Sequence, residues 1–375
     1  MPDPKPLYVT RPFLPPLEEY VPLLEEIWSS GQLTNGGPMH QRLEAELAAT
    51  LNVKYVSLFC NGTIALLAAL KALNVSGEVI TTPFSFVATS HSLIWNACTP
   101  VFVDIDPTTL NIDARKIESS ITPNTSAILA VHCYGTPCDV DEIERVAKRH
   151  KLRVIYDAAH AFGVECHCGS VLNHGDASVL SFHATKSFNT FEGGAVISHT
   201  RKMKLAIDDL KNFGFRSETE VETLGVNGKL NELQAAIGLL NLTYYERNRE
   251  QRKLLSENYD KKLAGLQGVT PALSFDNKPL KANYTYYPIR VEATRGGMSR
   301  DSLYENLKQK MIFTRRYFYP LIPDFSAYRT LPYVMNDLPV ARKTAQEILC
   351  LPLYYGLTTA EQDRVIEAIY RSIGD

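Results

Sequence analysis

The sequence predicts an α/β fold in which a mostly parallel central sheet is flanked by helices on both faces and followed by a smaller C-terminal α+β domain. From about residue 54 to residue 197, short apolar β-rich runs alternate with amphipathic stretches of helical period. Several of those runs are too apolar to leave a face in water, as expected of strands covered on both sides. The third observation is size. With 375 residues, 45% hydrophobic and 21% charged, the chain can bury a large core and form two domains.

Helices are expected first over residues 18–30 and 39–51, separated by Gly31-Gln32-Leu33-Thr34-Asn35-Gly36-Gly37-Pro38, a loop of turn formers suited to a functional flap. Strands are expected at 54–59, 78–81, 100–104, 126–132, 153–157, 178–182 and 195–198. Helices at 63–73, 85–96, 114–119 and 141–149 fall between them, bounded by Pro, Gly, Asn or Asp. A long helix at 231–263 stops near Gly265 and leads to a strand at 284–291, a helix at 302–310 and a closing helix at 360–372. Residues 1–250 are therefore assigned to a large domain and 251–375 to a small one. A sheet of this kind places its ligand beyond the carboxyl ends of the strands.

A formal net charge of −2 offers no field to attract nucleic acid or an acidic membrane. The start, Met1-Pro2-Asp3-Pro4-Lys5-Pro6, lacks the apolar stretch of a signal peptide, and no apolar run is long enough to span a bilayer, so the expected location is cytoplasmic. Seven cysteines, an odd count, point to reduced thiols. Cys166-His167-Cys168, with His132, Cys133 and Cys138 upstream, invites a zinc reading. Alternating residues of a strand point to opposite faces, however, and structural zinc cysteines usually stand two to four apart, so no metal is expected.

Lys186 carries the strongest chemical signal. It stands in Ser181-Phe182-His183-Ala184-Thr185-Lys186-Ser187-Phe188-Asn189, followed by Glu192-Gly193-Gly194 and a short apolar strand. Desolvation by such neighbours disfavours the ammonium form, leaving a neutral amine able to form a Schiff base with pyridoxal 5'-phosphate. The alternative is a stem laid across the core with its head in water.

Four other segments supply what that cofactor needs. Asn61-Gly62-Thr63 lies between a strand and a helix, where free amides and a hydroxyl can hold a phosphate or merely cap the helix. Asp157 ends a buried strand, where it can pair with a protonated pyridine nitrogen or cap the next helix, and His160 can donate to the ring's phenolic oxygen or be structural. Phe86, in Thr81-Thr82-Pro83-Phe84-Ser85-Phe86, can stack on the ring or pack in the core. Ser181, at the end of its own strand, can bind the phosphate or form a turn. Phosphate donors, an acid, an aromatic and a lysine all at strand ends converge on one crevice, which packing alone does not explain.

Further segments complete an ordered pattern: Gly225-Val226-Asn227-Gly228-Lys229-Leu230-Asn231-Glu232-Leu233-Gln234-Ala235-Ala236, Thr314-Arg315-Arg316-Tyr317-Phe318-Tyr319-Pro320-Leu321 and Leu349-Cys350-Leu351-Pro352-Leu353. Together with the segments around Thr34, Gly62, Asp157 and Lys186, they make the chain resemble, over nearly its full length, the DegT/DnrJ/EryC1/StrS family of sugar aminotransferases. The resemblance implies the fold-type I architecture of pyridoxal phosphate enzymes, aspartate aminotransferase-like. It implies that Lys186 carries the cofactor, Asp157 pairs with its ring nitrogen, Phe86 stacks on it, and Gly62, Thr63 and Ser181 hold its phosphate. It also implies that Asn227 reaches the phosphate of a second subunit, making a homodimer with shared active sites.

The expected reaction is transfer of an amino group from L-glutamate to a nucleotide-linked keto-sugar. The wording around Lys186 is most similar to enzymes acting on dTDP-4-keto-6-deoxy-D-glucose for surface polysaccharide. A 3-keto isomer and a dehydratase of the same fold are the alternatives, and retention of the lysine favours transamination. Thr34, Lys229, Arg316 and Tyr319 are the candidate substrate contacts, cations for the diphosphate and phenols for sugar hydroxyls. Two positions depart from the pattern: Asn61 replaces a common serine, and Lys229 a common arginine whose planar fork it lacks.

Overall fold

The computed structural model describes residues 5–273 and 279–374; Met1 to Pro4, part of the stretch expected to carry no signal peptide, lie outside them. Seven strands build the large sheet: β1 (Tyr55–Phe59), β2 (Glu78–Thr81), β3 (Thr99–Phe102), β4 (Thr125–Val131), β5 (Arg153–Asp157), β6 (Ala177–Ser181) and β7 (Gly194–Ser198). Their order is β3-β2-β4-β5-β6-β7-β1, and Val334–Met335 adds an eighth strand, parallel to β3. β7 alone runs opposite to the other strands of this sheet. The segment joining β6 to β7 contains no helix, so it reverses the chain instead of crossing over.

Side-chain alternation explains why both faces are apolar. After α1 (Leu17–Ser30) and α2 (Pro38–Thr50) comes α3 (Gly62–Ala72), and Val79, Leu129, Ile155, Val179 and Val196 pack against it and against Ile207 and Leu210 of a helix over Arg201–Lys211. Their neighbours Ile80, Ile128, Val154 and Tyr156 face the other way, against Ile143, Val146 and Ala147. At the β7–β1 end, Val56, Leu58, Ala195 and Ile197 meet Met39, Leu43, Ala235 and Leu239 of the two flanking helices Pro38–Thr50 and Glu232–Leu263.

Most expected elements appear within one or two residues. The helix expected at 85–96 begins only at Ala88 (α4, Ala88–Trp95), leaving Ser85 and Phe86 in the loop after β2. The one expected at 114–119 is a single α-turn, Ala114–Ile117, capped by Asp113 and followed by a 3-10 turn. The strand expected at 284–291 shortens to Tyr287–Val291.

A second core gathers Leu255, Tyr259, Ile289, Leu303, Leu307, Leu349, Val365 and Ile369 around an antiparallel sheet of β8 (Val269–Pro271), β9 (Tyr287–Val291) and β10 (Ile348–Leu351). We propose 1–250 and 251–375 as the two domains on the strength of that separate core. Two segments cross the division. Leu7–Tyr8 pairs with Ile312–Phe313, while Val334–Met335 joins the large sheet.

The expectation that Cys166 and Cys168 point to opposite faces is wrong. Cys166 pairs with Gly169 across a tight hairpin, so His167 and Cys168 form its turn and the two sulfurs lie 3.0 Å apart. His132 and Cys138 are engaged with each other's neighbourhood: Cys138 N–H donates to His132 Nδ1 at 3.0 Å and its thiol to Val131 O at 3.2 Å. Among the described residues no helix is long and apolar enough to cross a membrane.

Candidate active site

The carboxyl ends of β1, β5 and β6 open into one cleft of about 360 Å³, lined by Asn61, Gly62, Thr63, Ser85, Phe86, Asp157, His160, Ser181 and Lys186 among others. Its floor is a helix start. Asn61, in extended conformation at the cap of α3, accepts the Ile64 N–H at 2.9 Å with its side chain. The N–H groups of Gly62 and Thr63, in the first helical turn, are left without an intrahelical acceptor. The turn fits only because two glycines lack side chains: a Cβ on Gly62 would stand 3.0 Å from Ser181 Cβ, and one on Gly194 would stand 2.6 Å from Gly62 N. Ser181 is thus pressed against the free amides of a helix N-terminus, a cradle suited to a phosphate.

Opposite this cradle stands a buried acid. Asp157 accepts from Thr89 Oγ1 at 2.7 Å and from Ala159 N–H at 3.1 Å. Burial pushes its pKa up, against the pull of those two donors and of the Lys186 charge. Among the described residues no cation lies within ion-pair distance of it. A buried carboxylate lacking such a partner matches a ligand bringing a cationic ring nitrogen.

His160 is also buried, and its Nδ1 accepts the Tyr134 N–H at 3.2 Å. That bond fixes the proton on Nε2, making this nitrogen a donor. Burial, reinforced by the Lys186 charge, lowers the His160 pKa well below the usual range and keeps the ring neutral.

Lys186 sits in the turn that follows β6, with its N–H on His183 O at 2.9 Å. The turn is anchored from behind by Phe188, stacked on Phe162 at 4.4 Å between centroids and edge-on to Phe182. The amine lies 5.9 Å from the centre of the Tyr286 ring. Burial lowers its pKa to about 8, with the Asp157 charge pulling in the other direction. At neutral or mildly basic pH a useful fraction is therefore unprotonated and nucleophilic.

Of the residues expected from sequence, Gly62, Thr63, Phe86, Asp157, His160, Ser181 and Lys186 share this cleft. Phe86 is 59% exposed, so core packing does not account for it. Arg316 and Tyr319 line an adjoining cavity that also touches Phe86 and Tyr317. Arg316 is committed to Asp301 at 2.9 Å, whereas its neighbour Arg315 reaches the main cleft. Thr34, Asn227 and Lys229 do not line the cleft of their own chain; Lys229 Nζ donates to Asn212 Oδ1 at 3.0 Å. Sequence reasoning missed Thr89, Tyr134 and Tyr286. Thr89 had a legible signal, since it stands one helical turn after Ser85 in the segment that carries Phe86.

Comparison with known proteins agrees with this geometry. A model of the DegT/DnrJ/EryC1/StrS aminotransferase family matches residues 17–370. A dTDP-4-amino-4,6-dideoxy-D-glucose transaminase from Shigella dysenteriae is 53% identical over 365 residues, covering 97% of this chain and 98% of that protein. The crystal structure of DesI in the presence of its TDP-sugar product superposes with a TM-score of 0.93 at 34% identity, covering 98% of this chain and 92% of that one. NtdA from Bacillus subtilis, with bound cofactor PMP, gives 0.86 at 29% identity, covering 96% of this chain and 82% of that one. The chain belongs to the DegT/DnrJ/EryC1/StrS aminotransferase family.

Proposed function

We propose that this enzyme transfers the amino group of L-glutamate to dTDP-4-keto-6-deoxy-D-glucose, giving dTDP-4-amino-4,6-dideoxy-D-glucose for surface polysaccharide such as O-antigen. One observation carries the reading: a buried carboxylate, Asp157, and a lysine amine with its pKa lowered to about 8 share a cleft floored by a helix N-terminus. The 53% identity to the Shigella transaminase supports the choice of sugar.

Pyridoxal 5'-phosphate is the cofactor, and the residues present fit it. Gly62, Thr63 and Ser181 would hold the phosphate, Asp157 the protonated ring nitrogen, His160 Nε2–H the phenolic oxygen, Phe86 a ring face, and Lys186 the aldehyde carbon. When bound, the cofactor supplies an electron sink for the charge that develops on the substrate carbon. Lys186 would be the base that carries a proton between the substrate carbon and the cofactor carbon, in one direction for the amino donor and in the reverse direction for the keto-sugar. Asp157, held by Thr89 and the Ala159 amide, supplies the fixed negative charge that keeps the ring nitrogen protonated. Arg315, exposed at the cleft, is placed to meet an anionic substrate group.

The functional unit in this reading is a homodimer. Thr34, Asn227 and Lys229 lie outside their own cleft, and the loop carrying Thr34 is joined to the segment after Lys229 by Glu232 N–H to Leu33 O at 3.0 Å. Beside them Leu33, Leu224 and Val226 are 56%, 85% and 43% exposed, an apolar surface that a second copy would cover. The seven cysteines are free thiols, which supports the reducing cytoplasm as the location.

The test is product analysis with purified enzyme, glutamate and a panel of dTDP, UDP and GDP keto-sugars. Release of 2-oxoglutarate and formation of the 4-amino dTDP sugar are expected. Preference for a 3-keto isomer would overturn the assigned carbon, and a keto product formed without consumption of an amino donor would overturn transamination.

A further inference from the structure

The hairpin that follows β5 carries a cluster for which the transamination chemistry has no use. Cys166 Sγ and Cys168 Sγ are 3.0 Å apart, and His174 Nε2 lies 3.5 Å from the first and 3.1 Å from the second. A nitrogen of His167 lies within 4.8 Å of both sulfurs. Two soft sulfurs thus sit together within a segment of nine residues, with His174 in contact with both and His167 beside them, and none of the four lines the active-site cleft.

We propose that Cys166, Cys168, His174 and His167 form a binding site for one zinc ion. The donor set is of the Cys2His2 type, and sulfur with imidazole is the combination that selects zinc over hard cations. With zinc–sulfur bonds of about 2.3 Å and zinc–nitrogen bonds of about 2.0 Å, tetrahedral ligands stand roughly 3.3–3.8 Å from one another, the sulfur pair at the long end. The 3.5 Å between Cys166 and His174 already fits, the 3.1 Å between Cys168 and His174 must open by about 0.4 Å, and the 3.0 Å between the sulfurs by about 0.8 Å, within reach of a side-chain rotation of the exposed Cys168.

The backbone explains how so close a Cys-x-Cys spacing works. The pairing of Cys166 with Gly169 folds the chain back between the two cysteines, and Gly169, at φ 100°, takes a conformation that an L-residue rarely adopts. Val171–Asn173 form a 3-10 turn that returns His174 to the same spot. The site is also reachable: Cys166 is buried, but His167 and Cys168 are exposed.

An outer partner is in place as well. His167 Nε2 is 3.6 Å from Asp141 Oδ2, so the imidazole would bind zinc through Nδ1 and donate its other N–H to a carboxylate, the arrangement that fixes ring orientation in zinc proteins. Asp141 belongs to the first turn of the helix Val140–His150. Zinc would therefore tie the hairpin, the turn before β6 and, through Asp141, that helix into one piece. Binding expels the thiol protons as the sulfurs become thiolates.

The test uses the cofactor-loaded enzyme, reduced and freed of metal by a chelator, then titrated with zinc in competition with a chromophoric chelator and analysed for metal after dialysis. One zinc per chain is expected in the wild type. Cys168→Ser and His174→Gln should each weaken binding by at least about a hundredfold, the upper end of what loss of an outer partner alone costs. His150→Gln, an exposed histidine elsewhere, should leave binding unchanged, and turnover should persist in all three. Cobalt(II) in place of zinc should give the intense visible d–d bands of a tetrahedral thiolate site, in a region clear of the cofactor's own absorption. Less than stoichiometric retention, binding that survives Cys168→Ser, or an octahedral cobalt spectrum would each overturn the proposal. Since the readout is metal content, it stands or falls separately from the choice of sugar substrate.

Discussion

Thr89 Oγ1 lies 2.7 Å from Asp157 Oδ2, joining the first turn of α4 to the acid at the end of β5 across 68 residues of sequence. Ser85 Oγ lies 2.8 Å from the same Thr89 hydroxyl. A hydroxyl has one hydrogen and an ionised carboxylate only accepts, so Thr89 donates to Asp157 and receives from Ser85. This directed chain stabilises the charged acid against the burial that raises its pKa. Thr89→Val should remove a hydrogen bond to a charged group, costing about 1.5–3 kcal/mol. Cofactor affinity, measured by absorbance titration of the apoenzyme, is expected to fall roughly ten- to a hundredfold, while Thr89→Ser should stay near wild type.

The lowered pKa of Lys186 predicts a pH profile. Only the neutral amine reacts with electrophiles, so acylation of Lys186 in the apoenzyme should rise with pH and level off above about 8, followed by peptide mass spectrometry. An ordinary lysine would keep gaining reactivity toward about 10.4. Bound cofactor should protect the residue.

Removing that amine tests its role as proton carrier. Lys186→Ala should retain the fold by circular dichroism, because the turn is held by Phe188 and Phe182 and not by the amine. Turnover with glutamate and the keto-sugar should drop by at least about a hundredfold, the lower bound for a lost general base. Full turnover in this variant would contradict the assigned chemistry.

Gly194 tests the phosphate cradle. A Cβ there would meet backbone, 2.6 Å from Gly62 N and 2.7 Å from Asn61 C, so β7 and the start of α3 must separate. Gly194→Ala is expected to destabilise the protein by about 1–3 kcal/mol in denaturant unfolding. It should also weaken cofactor binding, since the shifted atoms are the phosphate donors.

These effects show which parts of the molecule a sequence reveals. Strand ends are legible because β1, β2, β5 and β6 are short apolar runs with chemistry-bearing residues at or just after their ends, and the parallel order then brings Gly62, Asp157 and Ser181 to one edge. The direction of β7 is set by the connection from Phe182 to Gly193, which looks like any loop when read alone. Thr89 and Tyr134 act through bonds to residues 68 and 26 positions away, and no local pattern announces such partners. The cysteine hairpin was misread for a related reason. Alternation along a strand and reversal in a two-residue turn begin from the same three letters, and the pairing of Cys166 with Gly169 decides between them.

The proposed sharing of active sites between two subunits makes the sharpest prediction. Asn227 is exposed on its own chain and stands outside its own cleft, so in the proposed homodimer it would reach a phosphate only in the second subunit. Asn227→Ala should lower cofactor affinity, and Lys186→Ala should be inactive, each as a homodimer. In a heterodimer of the two, one cleft carries both substitutions and the other carries neither. At a cofactor concentration too low to load the Asn227→Ala sites, random reassortment of equal amounts should therefore restore about a quarter of wild-type turnover, as half the dimers are mixed and each has one intact site. Subunit exchange is followed by native mass spectrometry alongside the activity assay. Recovery that tracks the heterodimer fraction is the expected result; exchange without any gain in turnover would mean that each chain completes its own site, and Asn227 would lose its role.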